Sequence, residues 1–476
     1  MSTNKNKYLI KNMAIFAISI FATKIIYFIL VPLYTKCLTP SEYGIVDLLF
    51  TITNFIFPIF TLNITEAIYR FSMDKDSNFN RIISIGFLCF VICIVCSLIL
   101  IPAVNLFSNY SDYSLLFYLY VISVAFFQIV LSLVKGQEKL KLFSFGNIIA
   151  SFLIAIFNIL LLLVFNMKIE GYFLSYILAN FITGIFVFVS AKYYSFIKKI
   201  ELDKALFKKM TKYSVVLIPT SFLWWIINSS DRIMIANILG NYENGIYAIS
   251  YKIPSLLTTI SFVFTQAWVF SAIKNINEED NEQYTNKIFD IFIKLLCIAG
   301  ILIILVIKPL FKIYVTPVYY TAWKFVPFLV FGYVFMTAAT FVSTSYNVKK
   351  DSKGFLYSGA IGAFINIILN LILIPKFWIY GAAFATMLSY ISVFVYRLID
   401  TKKYLKLRIS KIQILYVCLL LLSCIIIYFK SYVSYLLILI IIIISVIVSL
   451  NDLKELFNNL VNIIKNKKNE KRKLNE

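Results

Sequence analysis

Residues Lys212–Pro254 read KYSVVLIPTSFLWWIINSSDRIMIANILGNYENGIYAISYKIP. An apolar run opens at Tyr213 and is long enough to cross a bilayer, which takes about 20 residues at 1.5 Å each. Near its far end an acid stands beside a base, Asp231-Arg232. The polar turn Gly240-Asn241-Tyr242-Glu243-Asn244-Gly245 then sends the chain into a second apolar run that holds Lys252 and Pro254. Charges inside a membrane helix are costly, so they face a protein interior or a watery cavity. The hairpin predicts a helical membrane protein with a polar interior.

The rest of the chain has the same character. Of 476 residues, 61% are hydrophobic and 14% are charged, against about 25% charged in a soluble protein. Bilayer-length apolar runs recur from end to end and leave no separate soluble domain. The segment MSTNKNKYLIKN is polar and basic, and the run after it lacks a small-residue cleavage site. That run is therefore expected to be a retained helix and not a signal peptide.

The net charge of +22 is spread over short loops. With the N-terminus inside, 35 of the 45 Lys and Arg fall to the cytoplasmic side and 7 to the outside. Lys24, Arg232 and Lys252 remain within apolar spans. This asymmetry is the positive-inside pattern, not a nucleic-acid signal. Histidine is absent, which removes imidazole proton relays and the usual zinc ligands. Cys89, Cys93 and Cys96 sit in an unbroken apolar span, where cysteine packs as a small hydrophobe. No metal or cofactor is expected. The chain has no G-x-x-x-x-G-K-[ST] phosphate loop and no large external loop with paired acids, which argues against ATP hydrolysis and against a membrane glycosyltransferase or polymerase.

Fourteen spans fit, with both termini cytoplasmic: about 12–35, 45–69, 82–104, 113–134, 142–166 and 171–191, then about 213–239, 246–272, 288–307, one ending near Asn347, 354–374, 380–399, 412–429 and 433–450. Between the sixth and seventh lies Lys192–Lys212, with 7 Lys and 2 acids; it is expected to be amphipathic and to lie on anionic lipid.

An internal repeat runs through this pattern. Thr39-Pro40-Ser41-Glu42-Tyr43-Gly44-Ile45 lines up with Asn241-Tyr242-Glu243-Asn244-Gly245-Ile246. Thr65-Glu66-Ala67 follows with Thr265-Gln266-Ala267, and Ile169-Glu170-Gly171 with Ile379-Tyr380-Gly381. Glycine at both first turns suits a tight bend, because it tolerates positive φ. Six spans per repeat is an even number, so the halves share one orientation. The expected fold is an all-α integral membrane protein of about 14 transmembrane helices. Two six-helix bundles, residues 1–200 and 201–405, are related by a pseudo-two-fold axis along the membrane normal. An extra helix pair and basic tail occupy 406–476. Such halves rock about a site between them.

The turn Leu38-Thr39-Pro40-Ser41-Glu42-Tyr43-Gly44, together with Pro219, Asp231-Arg232, Gly240 and Gly245-Ile246-Tyr247, resembles the polysaccharide (O-antigen type) flippase family. That family lies within the multidrug/oligosaccharidyl-lipid/polysaccharide exporter superfamily. The resemblance covers essentially the whole chain. It implies a bacterial cytoplasmic membrane protein that moves undecaprenyl-diphosphate-linked oligosaccharide from the inner to the outer leaflet. The implied partners are that substrate, membrane lipids, and a polysaccharide polymerase with its chain-length machinery. An ion-coupled multidrug or metabolite antiporter and a peptidoglycan-precursor flippase of the same superfamily remain alternatives.

A lipid-linked glycan carries an anionic diphosphate, a polar sugar chain and an apolar tail. Moving it calls for a cationic lumen with a lateral gap. Lys24, Arg232 and Lys252 are the candidate substrate-binding residues, since Arg suits bidentate phosphate contact and Lys acts as a point charge. Lys24 lies about 20 Å into its span at 1.5 Å per residue from Lys11, while Lys252 is near enough to the external turn to reach headgroups. Asp47, Glu66 and Asp231 are candidates for ion coupling or charge balance. Adjacent Asp231 and Arg232 cannot face each other on a helix, so each is expected to meet another helix or the substrate.

Overall fold

In hydrocarbon a backbone must satisfy its own N–H and C=O groups, so only helices and closed barrels span a bilayer. The computed structural model describes residues 2–74, 78–197, 201–259, 264, 268, 281–349, 351–429 and 432–450. All regular structure among them is helical. In chain order the helices are α1 Ser2–Cys37, α2 Pro40–Phe60, α3 Ile64–Ser72, α4 Phe79–Ser97, α5 Leu100–Asn105, α6 Ser114–Gly136, α7 Leu140–Asn158, α8 Lys168–Ser190, α9 Tyr194–Ile197, α10 Lys204–Val215, α11 Ile218–Ile238 and α12 Asn241–Ser250. After them come α13 Asn281–Tyr314, α14 Val326–Val342, α15 Thr344–Lys349, α16 Ser352–Asp400, α17 Lys411–Ile426 and α18 Tyr432–Val448.

Among the described residues, ten helical segments are long and apolar enough to cross a membrane, and α17 and α18 are shorter apolar helices. Helix α16 contains a break at Trp378 (φ 56°, ψ −139°), between the expected eleventh and twelfth spans. The repeat match at Thr265-Gln266-Ala267, most of the expected eighth span beyond Thr259, and the basic tail lie outside the described residues.

The expected single span over 45–69 is two helices. Leu62 and Asn63 take left-handed φ of 53° and 50° between α2 and α3. Such a conformation costs a non-glycine residue about 1 kcal/mol or more unless its surroundings hold it. Here Ser214 Oγ donates to the Leu62 carbonyl at 2.7 Å, and Asn63 Nδ2 donates to the Ser214 carbonyl at 3.4 Å. Helix α3 then buries Ile64, Ala67 and Ile68 in an apolar cluster with α4 and α6. Glu66, on its opposite side, is exposed.

The Lys192–Lys212 connection also differs from a purely lipid-facing strip. Asp203 caps α10 by accepting from the Ala205 and Leu206 amides. Arg81, at the start of α4, pairs with Glu201 at 3.2 Å and Asp203 at 2.8 Å. Both acids of the connection are thus tied to protein.

Helices α6 and α7 pack with α8 and α1 packs on α7, whereas α11 and α14 pack on α16, and α13 on α17 and α18. Helix α2 joins these sets by lying against both α11 and α12. The repeated glycines explain that contact. Gly44 and Gly245 are helical, so the expected positive-φ role is not theirs; Gly240, at φ 120°, takes it. A Cβ on Gly44 would lie 1.9 Å from the Asn241 carbonyl oxygen, and one on Gly245 would lie 1.9 Å from the Pro40 carbonyl oxygen. The two motifs press on each other reciprocally, backbone against backbone. Asn244 Nδ2 reinforces the crossing by donating to the Gly44 carbonyl at 2.8 Å. Thr39 and Glu42 close a capping box on α2, which fixes where that helix begins.

Candidate functional site

Just beyond the glycine crossing, a cavity of about 330 Å³ lies between helices from both ends of the chain. Lys24 of α1, Asp47, Thr51 and Asn54 of α2, Arg232 of α11 and Lys252 after α12 all line it. Tyr27, Tyr34, Tyr172, Tyr176, Tyr251 and Tyr333 complete most of the wall. The spacing Asp47, Thr51, Asn54 keeps these α2 residues on one helix face. Three bases thus meet one acid around a shared space.

Arg232 crosses from α11 to α2. Its Nη1 donates to Asp47 Oδ1 at 3.1 Å and to Thr51 Oγ1 at 3.3 Å. Its guanidinium carbon sits 5.1 Å from the Tyr251 ring centroid, a cation–π contact that holds its plane. Asp47 Oδ2 and Arg232 Nε make no hydrogen bond among the described residues. Lys252 Nζ lies 5.8 Å from the Tyr43 ring, inside the cavity wall and not out among headgroups.

Asp231 faces the other way and is fully buried. Its Oδ2 accepts from the Tyr247 hydroxyl at 2.5 Å, the Tyr251 hydroxyl at 2.9 Å and Thr386 Oγ1 at 3.1 Å. Its Oδ1 accepts from the Arg232 amide at 2.9 Å. A buried carboxylate persists only with such donors. The seam continues along α11, where Ser230 Oγ donates to Asn366 Oδ1 at 2.9 Å and Asn228 Oδ1 accepts from the Tyr390 hydroxyl at 2.8 Å. Neighbours in sequence therefore serve different surfaces: Arg232 the cavity, Asp231 the packing of α11 on α12 and α16.

Glu66 does not join them. The break at Leu62-Asn63 carries it onto α3, exposed and outside the cavity lining. Counting by loops also assigns Lys294 and Arg397 to the cytoplasmic side, yet both are buried within helices. Arg397, 1% exposed, donates from Nε to Ser358 Oγ at 3.0 Å and from Nη1 to the Ala339 carbonyl at 2.8 Å. Trp224 and Phe355 lie 5.0 and 4.9 Å from its guanidinium carbon. Lys294 pairs with Asp290 at 2.5 Å. For Lys294 the signal was a base inside an apolar run; Arg397 stands near the end of its run and carried a weaker one. The cavity tyrosines carried no sequence signal that set them apart from packing residues. Cys89 and Cys93 are buried among apolar side chains, and Cys96 is exposed.

The fold is shared with known transporters. The chain matches "Lipid II flippase MurJ, inward closed conformation" with a TM-score of 0.69 and 14% identity, covering 93% of this chain and 99% of that one. It matches an inward-facing multidrug resistance MATE family transporter of the MOP superfamily with a TM-score of 0.65 and 12% identity, covering 81% and 97%. An uncharacterized membrane protein of Methanocaldococcus jannaschii is 25% identical over 393 residues, 77% of this chain and 92% of that one. Residues 9–270, more than half of the chain, match the family described as "Polysaccharide biosynthesis protein". The chain is a multi-pass membrane protein that belongs to that polysaccharide biosynthesis protein family.

Proposed function

We propose that this protein is a flippase, not an enzyme, for undecaprenyl-diphosphate-linked oligosaccharide in the bacterial cytoplasmic membrane. Its product passes to a polysaccharide polymerase and chain-length machinery. Fourteen crossings, arranged as two six-helix halves and a C-terminal pair with both termini inside, alternate access to the central cavity. The observation that carries this reading is the convergence of Lys24, Arg232 and Lys252 on one cavity with a single acid, Asp47. Two phosphates offer charge to all three bases, and the spare donor at Arg232 Nε suits a bidentate phosphate contact.

The glycine crossing supports alternating access. It joins α2 to α12 through backbone contact at the Gly44 end of α2, and Tyr319 and Thr316 add hydrogen bonds from the second half to the Leu38 and Thr35 carbonyls, at 3.0 and 2.8 Å. In this reading that end is external, and the substrate enters from the inner leaflet. Asp47, the acid that faces the cavity, balances Arg232 there, and Asp231 balances charge within the packing of α11 on α12 and α16.

Lys24→Ala and Arg232→Ala test the substrate reading, with membrane insertion measured separately. Both variants should strand lipid-linked oligosaccharide on the cytoplasmic face. Normal export in both sinks the cationic-lumen proposal. A peptidoglycan precursor carries the same diphosphate, so complementation of a strain lacking that precursor's flippase separates the two substrates.

A further inference from the structure

A second recess, of about 310 Å³, adjoins the charged cavity and shares Asn54 with it. It is mostly apolar. Phe55, Pro58 and Ile59 of α2 form one wall; Ile218, Phe222 and Trp225 of α11 form the other. Each wall continues a stripe that begins at a cavity charge. On α2 the stripe runs Asp47, Thr51, Asn54, Pro58, and on α11 it runs Arg232, Trp225, Phe222, Ile218. Steps of three, four or seven residues keep one helix face. The facing stripes are therefore polar at one end and apolar at the other, along the helix axes. Eleven residues separate Asp47 from Pro58, about 16 Å at 1.5 Å per residue.

The boundary between the two zones is built. Trp225 Nε1 donates to the Thr51 carbonyl at 2.9 Å, which places its polar tip at the cavity. The Trp225 and Phe222 rings lie 4.8 and 5.1 Å from that of Phe55. None of the groove's lining residues is charged. Pro58 and Pro219 lack the N–H that would add a donor to its wall. Ile59 and Phe222 are exposed at its rim.

We propose that this α2–α11 groove holds the diphosphate-proximal isoprene units of the same lipid diphosphate whose head group occupies the charged cavity; this rests on the cationic-cavity reading above. One amphiphile matches both zones in order: anionic head at Arg232, first isoprene units past Asn54, and apolar chain along the surface that Phe55 and Phe222 form together. Continuity with a cavity of three bases favours a diphosphate lipid over a bulk phospholipid.

The test uses the full chain in proteoliposomes with benzoylphenylalanine placed at Phe222, at Ile59, or at Phe152, an exposed residue of α7. The probe is undecaprenyl diphosphate tritiated in its chain. Photolabelling at Phe222 and Ile59 should exceed that at Phe152 several-fold. Unlabelled undecaprenyl diphosphate should suppress it, and excess phosphatidylglycerol should not. Equal labelling at all three positions, or suppression by phosphatidylglycerol, overturns the groove proposal, because the recess then takes bulk lipid. A second arm adds Lys24→Ala to the Phe222 variant. Several-fold weaker capture supports groove and cavity together; unchanged capture with the α7 control still low leaves the groove standing and removes the cavity reading alone.

Discussion

Tyr251 presents its ring to the guanidinium of Arg232, 5.1 Å from centroid to carbon. The same side chain donates its hydroxyl to Asp231 at 2.9 Å. One tyrosine thus joins two adjacent opposite charges that cannot meet on their own helix. Tyr251→Phe keeps the ring contact and removes one donor to a buried carboxylate, with an expected loss of about 1.5–3 kcal/mol. Tyr251→Leu should cost a further ~0.5–2 kcal/mol as the cation–π contact goes. Denaturant unfolding in detergent reads both; equal losses would mean that the ring contact contributes nothing.

Arg232 and Asp47 bridge α11 and α2 at 3.1 Å, with both side chains largely buried. Removing one partner leaves the other's charge unpaired, at a cost of about 3–5 kcal/mol. Asp47→Asn combined with Arg232→Gln should therefore cost less than the sum of the single changes. Additive losses would show that the pair is not energetically coupled.

Gly44→Ala and Gly245→Ala should be similarly severe, because each new methyl meets a carbonyl oxygen at 1.9 Å. Overpacking of this kind costs about 1–3 kcal/mol where side chains yield, and backbone yields less. Once one methyl has parted the helices, the second has less to displace, so the double variant should fall short of additivity. Thermal unfolding of purified protein checks this. Wild-type stability in either single variant contradicts the contact.

Asp351, in the loop before α16, accepts from the Gly354 amide at 3.0 Å and the Tyr404 hydroxyl at 2.9 Å, and pairs with Lys403 at 3.1 Å. The Gly354 amide, first, and then these side chains hold its carboxyl down at about 2. Because the folded value lies below the unfolded one, its contribution is fully present above about pH 4 and is lost as pH falls toward 2. The protection of the Gly354 amide against hydrogen exchange, taken relative to its intrinsic rate at each pH, should hold down to about pH 4 and fall as the pH drops toward 2. Asp351→Asn should show the faster exchange already at neutral pH.

Much of this molecule is legible in its residues. Apolar run length and loop charge lead to membrane helices, and the in-span bases Lys24, Arg232 and Lys252 prove to surround one space. What stays hidden depends on tertiary partners. The break after α2 carries no glycine, since Ser214 from a distant helix supplies its hydrogen bonds. Glu66 is lost from the cavity for that reason. Arg397 reads as a loop base because its run ends nearby, yet Ser358, Trp224 and Phe355 enclose it. The glycines of the repeat are visible in sequence, but their use in close approach and not in a bend needs the facing helix.

The fit of Pro40–Gly44 against Asn241–Gly245 is reciprocal. Residue i of one motif touches residue j of the other, and the counterpart of j touches the counterpart of i. That is the isologous geometry of a homodimer, written within one polypeptide. Each copy of the motif is thus a surface complementary to the other copy. One motif used twice supplies the whole crossing, and the residues beyond it differ, so the two copies place different charges, Asp47 after one and Lys252 after the other, around the space between them.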